Sequence, residues 1–452
     1  MSEWKKVKIG DFLTEREGRY KPNDSKISKY KRLDKIDFSG TIHISDKPTK
    51  TDMIIVHPGD LVISGINVAK GAVAVYQGNE PVCATIHYSS YTFDSSKADL
   101  DYFKFFVKSP AFITALQKQV KGGIKTEIKP KHLLPLEISI PDLQTQREIL
   151  QKISLQLQRT EQLSLEIESQ KNYIKQLRQN ILQEAIEGKL SAAWRKQNPV
   201  QKGNPDYDAE ALFEQIQKEK YHTDSILLTQ NQDKKKKGNS LDFPNPCDNE
   251  EKPFAIPDGW KWVRLGEICK SITDGDHLPP PKQNSGIPFI VISDVSSGVI
   301  DFRGNRYVPE GYYEKLQSDK KPQKGDILYT VTGSYGIPVF VNDLRFCVQR
   351  HIGIIKPCTQ IRIYIYHFLQ SPICKKQADS VAWGVAVKTI PIKELRNFAL
   401  PLPPVKEQEE IVAQVEKHLQ TVSDLENQIT EREELTKQLM QSVLKRAFGE
   451  YK

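Results

Sequence analysis

Leu400–Val412 reads LPLPPVKEQEEIV, and Ile138–Leu150 reads ISIPDLQTQREIL. Each phrase runs from an apolar stretch through proline into a polar segment that carries glutamine and glutamate. Gln146 pairs with Gln408, an offset of 408 − 146 = 262. That offset holds without a gap from Pro141/Pro403 to Lys189/Tyr451, and 14 of those 49 pairs are identical. Glu148/Glu410, Ile149/Ile411, Leu163/Leu425, Ile167/Ile429, Leu177/Leu439 and Ala185/Ala447 are among them. A chain that repeats itself at a fixed offset is a tandem duplication. The missing gaps argue that the length of this segment matters, because loops tolerate insertions.

The constrained segment reads as a helix. Proline stands where it is tolerated, at the helix start, in Pro141 and in Pro403–Pro404. No proline or glycine interrupts Leu143 to Glu187 or Val405 to Phe448. Apolar residues recur at spacings of three and four in Ile149, Ile153, Leu163, Ile167, Ile174, Leu177 and Ile181. The second copy gives Ile411, Val415, Val422, Leu425, Ile429, Leu439 and Val443, and polar gaps fall at Gln156, Thr160 and Gln170. About 45 residues at a 1.5 Å rise make each helix roughly 65–70 Å long. One apolar stripe must be buried against a partner, and the nearest partner is the other copy. Two repeats related by a local two-fold axis would pack these helices antiparallel.

Upstream the echo weakens. Glu3–Phe12, EWKKVKIGDF, resembles Gly259–Ile268, GWKWVRLGEI, at an offset of 256. His57–Ser64, HPGDLVIS, resembles Gln323–Thr330, QKGDILYT, at an offset of 266. DLVIS, GAVAVY, IPFIVI, GDILYT and HIGIIKP are short β-rich runs bounded by Gly, Pro and Asp. DYFKFFVKSPAFITALQKQ and IYIYHFLQSPICKKQA each predict one or two short helices. The expected class is α+β: two mixed α/β domains separated by two long antiparallel helices. The expected division is 1–141, helix 142–190, linker 191–255 with a short helix in DAEALFEQIQKEKYH, 256–403, and helix 404–452. The tetralysine Lys234–Lys237 reads as a solvated part of that linker.

Composition sets bounds on function. At roughly 100–200 residues per domain, 452 residues make two or three domains. Hydrophobic residues are 38% and charged residues 27%, and the formal net charge of +8 is compatible with a nucleic-acid partner. The six cysteines form no CxxC pair, which disfavours a zinc framework and fits a reducing cytosol. The start, MSEWKKVKIGDF, has no apolar signal core, and no run approaches a membrane span of about 18 residues.

Catalytic motifs do not emerge. A phosphate-binding GxxxxGK[ST] loop fails because Gly188–Lys189 is followed by Leu190. NPVQ at Asn198 and NPDY at Asn204 lack the second proline of an amino-methyltransferase tetrad. EIK at Glu127 and EYK at Glu450 follow no convincing Asp-bearing strand of a nuclease. The most chemical-looking cluster is Thr273–His277, TDGDH, where Asp274, Asp276 and His277 could bind a metal; an Asp-Gly turn explains it more simply. No catalytic residue and no metal site is assigned.

An architecture without a visible active site favours a binding protein with a measured span. Duplex DNA repeats every 34–36 Å or so. Bases are read by Arg or Lys at guanine and Asn or Gln at adenine. The candidate loops are basic and carry glycine: Ser64–Gly71 and Val120–Lys129 in the first half, Val331–Pro338 and Trp383–Ile390 in the second. Lys70, Lys121, Lys125 and Lys388 are candidates for phosphate or guanine, and Ser334, Tyr335 and Trp383 for positioning or wedging.

The chain resembles the specificity subunits of type I restriction-modification systems. The resemblance is carried by IPDGWKWVRLGEI at Ile256, SITDGDH at Ser271, GIPFIVISDV at Gly286, KGDILYTVTGSYG at Lys324, VQRHIGIIKP at Val348 and LPLPPVKEQEEIV. In the first half YKRLDKIDFSG, HPGDLVISGI and IPDLQTQREIL play the same parts. It implies two target-recognition domains, each reading one half of a bipartite DNA site. It also implies that the repeated helices fix the spacer and dock two adenine-N6 methyltransferase subunits, with Ile149, Ile153, Leu163, Ile167, Leu177, Ile411, Val415, Leu425, Ile429 and Leu439 on the docking face or helix seam. An ATP-driven restriction subunit is a further implied partner. S-adenosylmethionine, ATP and magnesium would belong to those partners, and the location would be cytoplasmic. The first half lacks a TDGDH counterpart, so the two domains are expected to differ in build. The alternatives are the specificity chain of a motor-less methylating and cleaving complex, a DNA-independent coiled-coil scaffold and a self-contained nuclease. The scaffold predicts no salt-sensitive DNA binding. The nuclease predicts metal-dependent cutting by this chain alone.

Overall fold

The computed structural model describes residues 4–38, 40–47, 49–119, 128–230, 252–276, 280–281, 283–303, 306–342 and 344–449. The chain divides into two units. The first is Met1–Gln170 with Gln428–Lys452, and the second is Lys171–Asn427. Two long helices, Leu143–Ile186 and Val405–Gly449, each contribute one part to each unit.

Each unit builds one antiparallel sheet in the same order. In the first, Leu13–Glu15, Tyr88–Phe93, Leu61–Ser64 and Val73–Val75 form an antiparallel sheet in that order. In the second, Cys269–Asp274, Ile352–Pro357, Ile327–Thr330 and Pro338–Phe340 do the same. A second sheet in each unit contains one parallel pair: Arg32–Ile36 beside Val82–Thr85, and Ile287–Ile290 beside Cys347–Val348. A two-stranded ribbon closes each unit: Lys5–Lys8 with Glu137–Ile140, and Lys261–Arg264 with Ala399–Leu402. The strand bearing TDGDH therefore has a counterpart, Leu13–Glu15, at the same place in the first unit's sheet. The two units do differ in build at the second sheet, which has four strands in the first unit, with Met53–Val56 beside Val82–Thr85, and three in the second.

The small repeated phrases have structural causes. In HPGD and QKGD the aspartate folds the turn before a strand. Asp60 accepts the amide of His57 at 2.9 Å, and Asp326 accepts that of Gln323 at 2.8 Å. Each buried carboxylate also has a cation, Arg16 at 2.7 Å and Lys356 at 2.5 Å, as a charge taken out of water requires. Each SP dipeptide starts a short helix, Pro110–Gln119 or Pro372–Val381, with proline in the first turn. The preceding Ser109 or Ser371 accepts a first-turn amide at 3.4 or 3.2 Å.

The phrase that opens each long helix is explained in the same way. Gln146 donates its side-chain amide to the Pro141 carbonyl at 2.8 Å, and Gln408 to the Pro403 carbonyl at 2.7 Å. Both glutamines are buried. Asp142 caps the first helix through the amide of Thr145 at 3.0 Å. The second helix is capped from outside, Val405 and Lys406 donating to the carbonyls of Pro205 and Asp206 at 3.1 and 3.2 Å.

Inside each unit the two helices run antiparallel. In the first, Ile149, Ile153 and Leu157 share a core with Val443, Leu444 and Phe448, while Arg432 reaches Gln170 at 3.0 Å. In the second, Leu182, Ala185 and Ile186 share a core with Ile411 and Val415, while Arg178 pairs with Glu426 at 3.1 Å. Each fully buried apolar side chain contributes roughly 1.5–3 kcal/mol. The polar gap at Thr160 is closed by a bond from its hydroxyl to the Leu157 carbonyl at 2.8 Å. Of the stripe read from spacing, Ile149, Ile153, Ile167, Ile411, Val415 and Ile429 are buried, and Leu163 and Leu425 are half-buried. Leu177 and Leu439 lie off the seam and are exposed.

The linker helix extends over Ala209–Gln230, and its Leu212 and Ile216 enter the core of the second unit. The tetralysine Lys234–Lys237 lies outside the described residues. Among the described residues no helix is long and apolar enough to cross a membrane.

Candidate nucleic-acid interface

In each unit the two candidate loops are joined by an equivalent backbone bond. In the first, Ile128 donates to the Gly65 carbonyl at 2.9 Å; in the second, Ile390 donates to the Val331 carbonyl at 2.8 Å. In the second unit the bond leaves a pair of loop tips beside the end of the strand Ile327–Thr330.

In the second unit four of the expected residues come together. Trp383 and Thr389 exchange backbone bonds of 3.1 and 2.8 Å, making a tight hairpin, and Gly333 donates to the Lys388 carbonyl at 2.9 Å. The loop Val331–Pro338 is pinned from within, because Thr330 donates its hydroxyl to the Ser334 carbonyl at 2.8 Å. Thr389 donates to Thr332 between hydroxyls at 3.3 Å, and His351 Nδ1 lies 3.1 Å from the Thr332 oxygen. Ser334, Trp383 and Lys388 are exposed beside one another on this platform. Tyr335 is engaged instead. Its hydroxyl donates to Asp379 at 2.7 Å and Lys375 lies 4.8 Å from its ring centre. The Asp379 carboxylate holds the phenol proton above its ordinary range, and Lys375, hydrogen-bonded to Asp379, holds that carboxylate low. Tyr335 is thus tethered to the helix Pro372–Val381 at the protein surface.

In the first unit Lys70 ends a short turn, Val68–Lys70, and is exposed, its ammonium 5.6 Å from the ring centre of Phe38. Lys121 and Lys125 lie outside the described residues. Residues that spacing did not single out share these tips: Ile66 and Phe38 are exposed in the first unit, and Val385 and Val387 in the second. The available signal was the run Trp383–Val387, WGVAV, an apolar stretch with glycine just after a helix ends.

The TDGDH cluster is a close backbone crossing. Asp276 bridges to Gln349 and accepts the Tyr312 hydroxyl at 2.9 Å. A Cβ at Gly275 would stand 2.0 Å from the Val348 carbonyl oxygen, so only glycine fits. His277 lies outside the described residues. Among the described residues no three His, Cys, Asp or Glu side chains gather closely enough to hold a metal ion.

Comparison with known proteins gives a consistent result. The family described as "Type I restriction modification DNA specificity domain" matches residues 1–172 and 257–435. The chain is similar to the type I restriction enzyme EcoBI specificity subunit of Escherichia coli, 22% identical over 350 residues, covering 76% of this chain and 64% of that one. It is similar also to the EcoAI specificity subunit of Escherichia coli, 28% identical over 278 residues, covering 60% of this chain and 44% of that one. The chain therefore spans less than two thirds of these relatives. A chain solved in a study of complex assembly and conformational transition of the type I R-M system shares the fold, with a TM-score of 0.58 and 18% identity over 98% of this chain and 97% of that one.

Proposed function

Because the chain belongs to the type I restriction-modification DNA specificity domain family, we propose that it is a sequence-reading subunit that catalyses no reaction itself and recognises an asymmetric two-part site in duplex DNA. The observation that carries this reading is the repeated platform. The same backbone bond joins the same two loops in each unit, while the exposed side chains differ: Ile66 and Lys70 in one, Trp383, Val385 and Lys388 in the other. A shared platform with different tips suits two different half-sites. Lysine and arginine at such tips meet phosphate or guanine.

The long helices set the spacing between half-sites, a role supported by their gapless 49-position match. Two adenine-N6 methyltransferase subunits dock on them. Tyr173 and Leu435 are both exposed at equivalent repeat positions, as are Leu177 and Leu439, which gives two apolar faces of the same design. Methylation and ATP-dependent cleavage belong to those subunits and to a restriction subunit, and S-adenosylmethionine, ATP and magnesium are held there. The complex works in the cytoplasm.

The test is co-expression with the methyltransferase encoded beside this chain, followed by mapping of N6-methyladenine on a plasmid. An asymmetric two-part motif that vanishes without this chain is the expected result. No modified adenine, from a methyltransferase that binds both this chain and its cofactor, would sink the reading in favour of a scaffold.

A further inference from the structure

The hairpin Ala382–Ile390 carries a tip of unusual chemistry. Between Trp383 and Lys388 stand Gly384, Val385, Ala386 and Val387, without one hydrogen-bonding side chain. All of these residues are exposed: Trp383 at 68%, Val387 at 56% and Val385 completely. Single exposed hydrophobes are ordinary, but a contiguous group on a fixed turn marks an interaction surface. The turn is fixed. Gly384 has φ +123°, a Cβ there would stand 2.3 Å from the Val387 carbonyl oxygen, and the stem is closed by the Trp383–Thr389 and Gly333–Lys388 bonds.

The collar of the tip is cationic. Lys388 is exposed on it, and the nearby Asp379 is already paired with Lys375. Such a collar selects a polyanion over an acidic-free protein surface. A tight hairpin of this kind is admitted by a major groove about 12 Å wide. In the major groove, side chains without donors or acceptors cannot read the hydrogen-bond code of the base edges. The feature they can recognise is the thymine C5-methyl group.

We infer that Val385 and Val387 pack against thymine methyl groups in the half-site read by the second unit, with Lys388 on an adjacent phosphate. This rests on the DNA-reading function above and goes beyond it by naming the base and the contact. In the first unit the apolar residues, Ile66 and Phe38, stand elsewhere on the platform, so that unit reads by a different contact.

The experiment uses the complex of the full chain with its methyltransferase and a duplex bearing the mapped site. Each thymine of each half-site, on either strand, is replaced in turn by deoxyuridine, which removes only the methyl group. The expected result is a loss of affinity of about fourfold at one or more positions of a single half-site, the scale of one buried methyl-sized group. That loss should vanish in the Val385→Ser, Val387→Ser double variant, with methyltransferase co-purification unchanged. The inference is overturned if neither half-site responds to deoxyuridine, if the mapped half-sites contain no thymine, or if the response persists in the double variant. Loss of methyltransferase binding by that variant would equally overturn it, making the tip a protein contact. Absence of any two-part motif would instead refute the DNA-reading function itself.

Discussion

Trp260 donates its indole N–H to Glu407 at 2.7 Å, across 147 residues of sequence. The same buried carboxylate accepts Ser191 at 2.7 Å and Arg195 at 2.5 Å, so one side chain joins the start of the second long helix, the chain leaving the first, and the ribbon strand that begins at Lys261. Glu407→Ala would leave the indole without its acceptor and Arg195 without its anionic partner. Breaking a buried pair from one side costs about 3–5 kcal/mol. Urea unfolding should show that loss; a change below about 1 kcal/mol would make the junction incidental.

A second prediction concerns acid. His367 is buried, neither ring nitrogen has a partner, and burial pushes its pKa from 6.5 down to about 4. The unfolded chain therefore takes up a proton below pH 6.5 that the folded chain refuses until about pH 4. Stability is unaffected above that window and falls as pH drops through it, by at most roughly 3 kcal/mol. The first unit places Phe105 at this repeat position. His367→Phe should flatten the pH dependence of the denaturant midpoint between pH 7 and 5. An unchanged slope would mean that another group sets it.

The exposed faces on the long helices lead to a third. Tyr173→Glu with Leu177→Glu, or Leu435→Glu with Leu439→Glu, should leave stability within about 0.5 kcal/mol, as surface changes do. Each pair should cut methyltransferase co-purification at least tenfold, and the two together should abolish it. Retention of full binding by the quadruple variant would place the methyltransferases elsewhere.

Gly384→Ala supplies a fourth. It would add about 1–3 kcal/mol of local strain at a positive φ. Because the hairpin tip is exposed, the cost should appear as faster tryptic cleavage at Lys388 and weaker DNA binding, not as a lower melting temperature. A drop of several degrees would show that the hairpin supports the core.

Much of this architecture is legible from the residues, for physical reasons that differ by element. The long helices were readable because an apolar stripe at spacings of three and four has one structural solution. The seam was less so: Leu177 and Leu439 keep the spacing yet face outward, since a stripe wider than one partner cannot be divided from sequence alone. Trp262 and Lys6 occupy the same repeat position, and nothing local explains the exchange. In the structure Phe254 packs edge-on against Trp262, and the linker helix anchors beside it through Lys220 to Gly266 at 2.6 Å. That contact comes from chain distant in sequence. At the loop tips, lysines advertised themselves by charge, while Val385 and Ile66 did not, because an apolar residue in a β-rich run reads as core until its exposure is known.

Phe448 lies with its ring centre 5.1 Å from that of Tyr102 and 5.9 Å from that of Phe106. The core of the first unit therefore waits for side chains encoded beyond the whole of the second. On the ribosome, residues 1–170 emerge with an open apolar flank and keep it while the next 257 are made. The unit begun first is closed last, so a chain interrupted just after residue 427 would carry a complete second unit and an unsealed first.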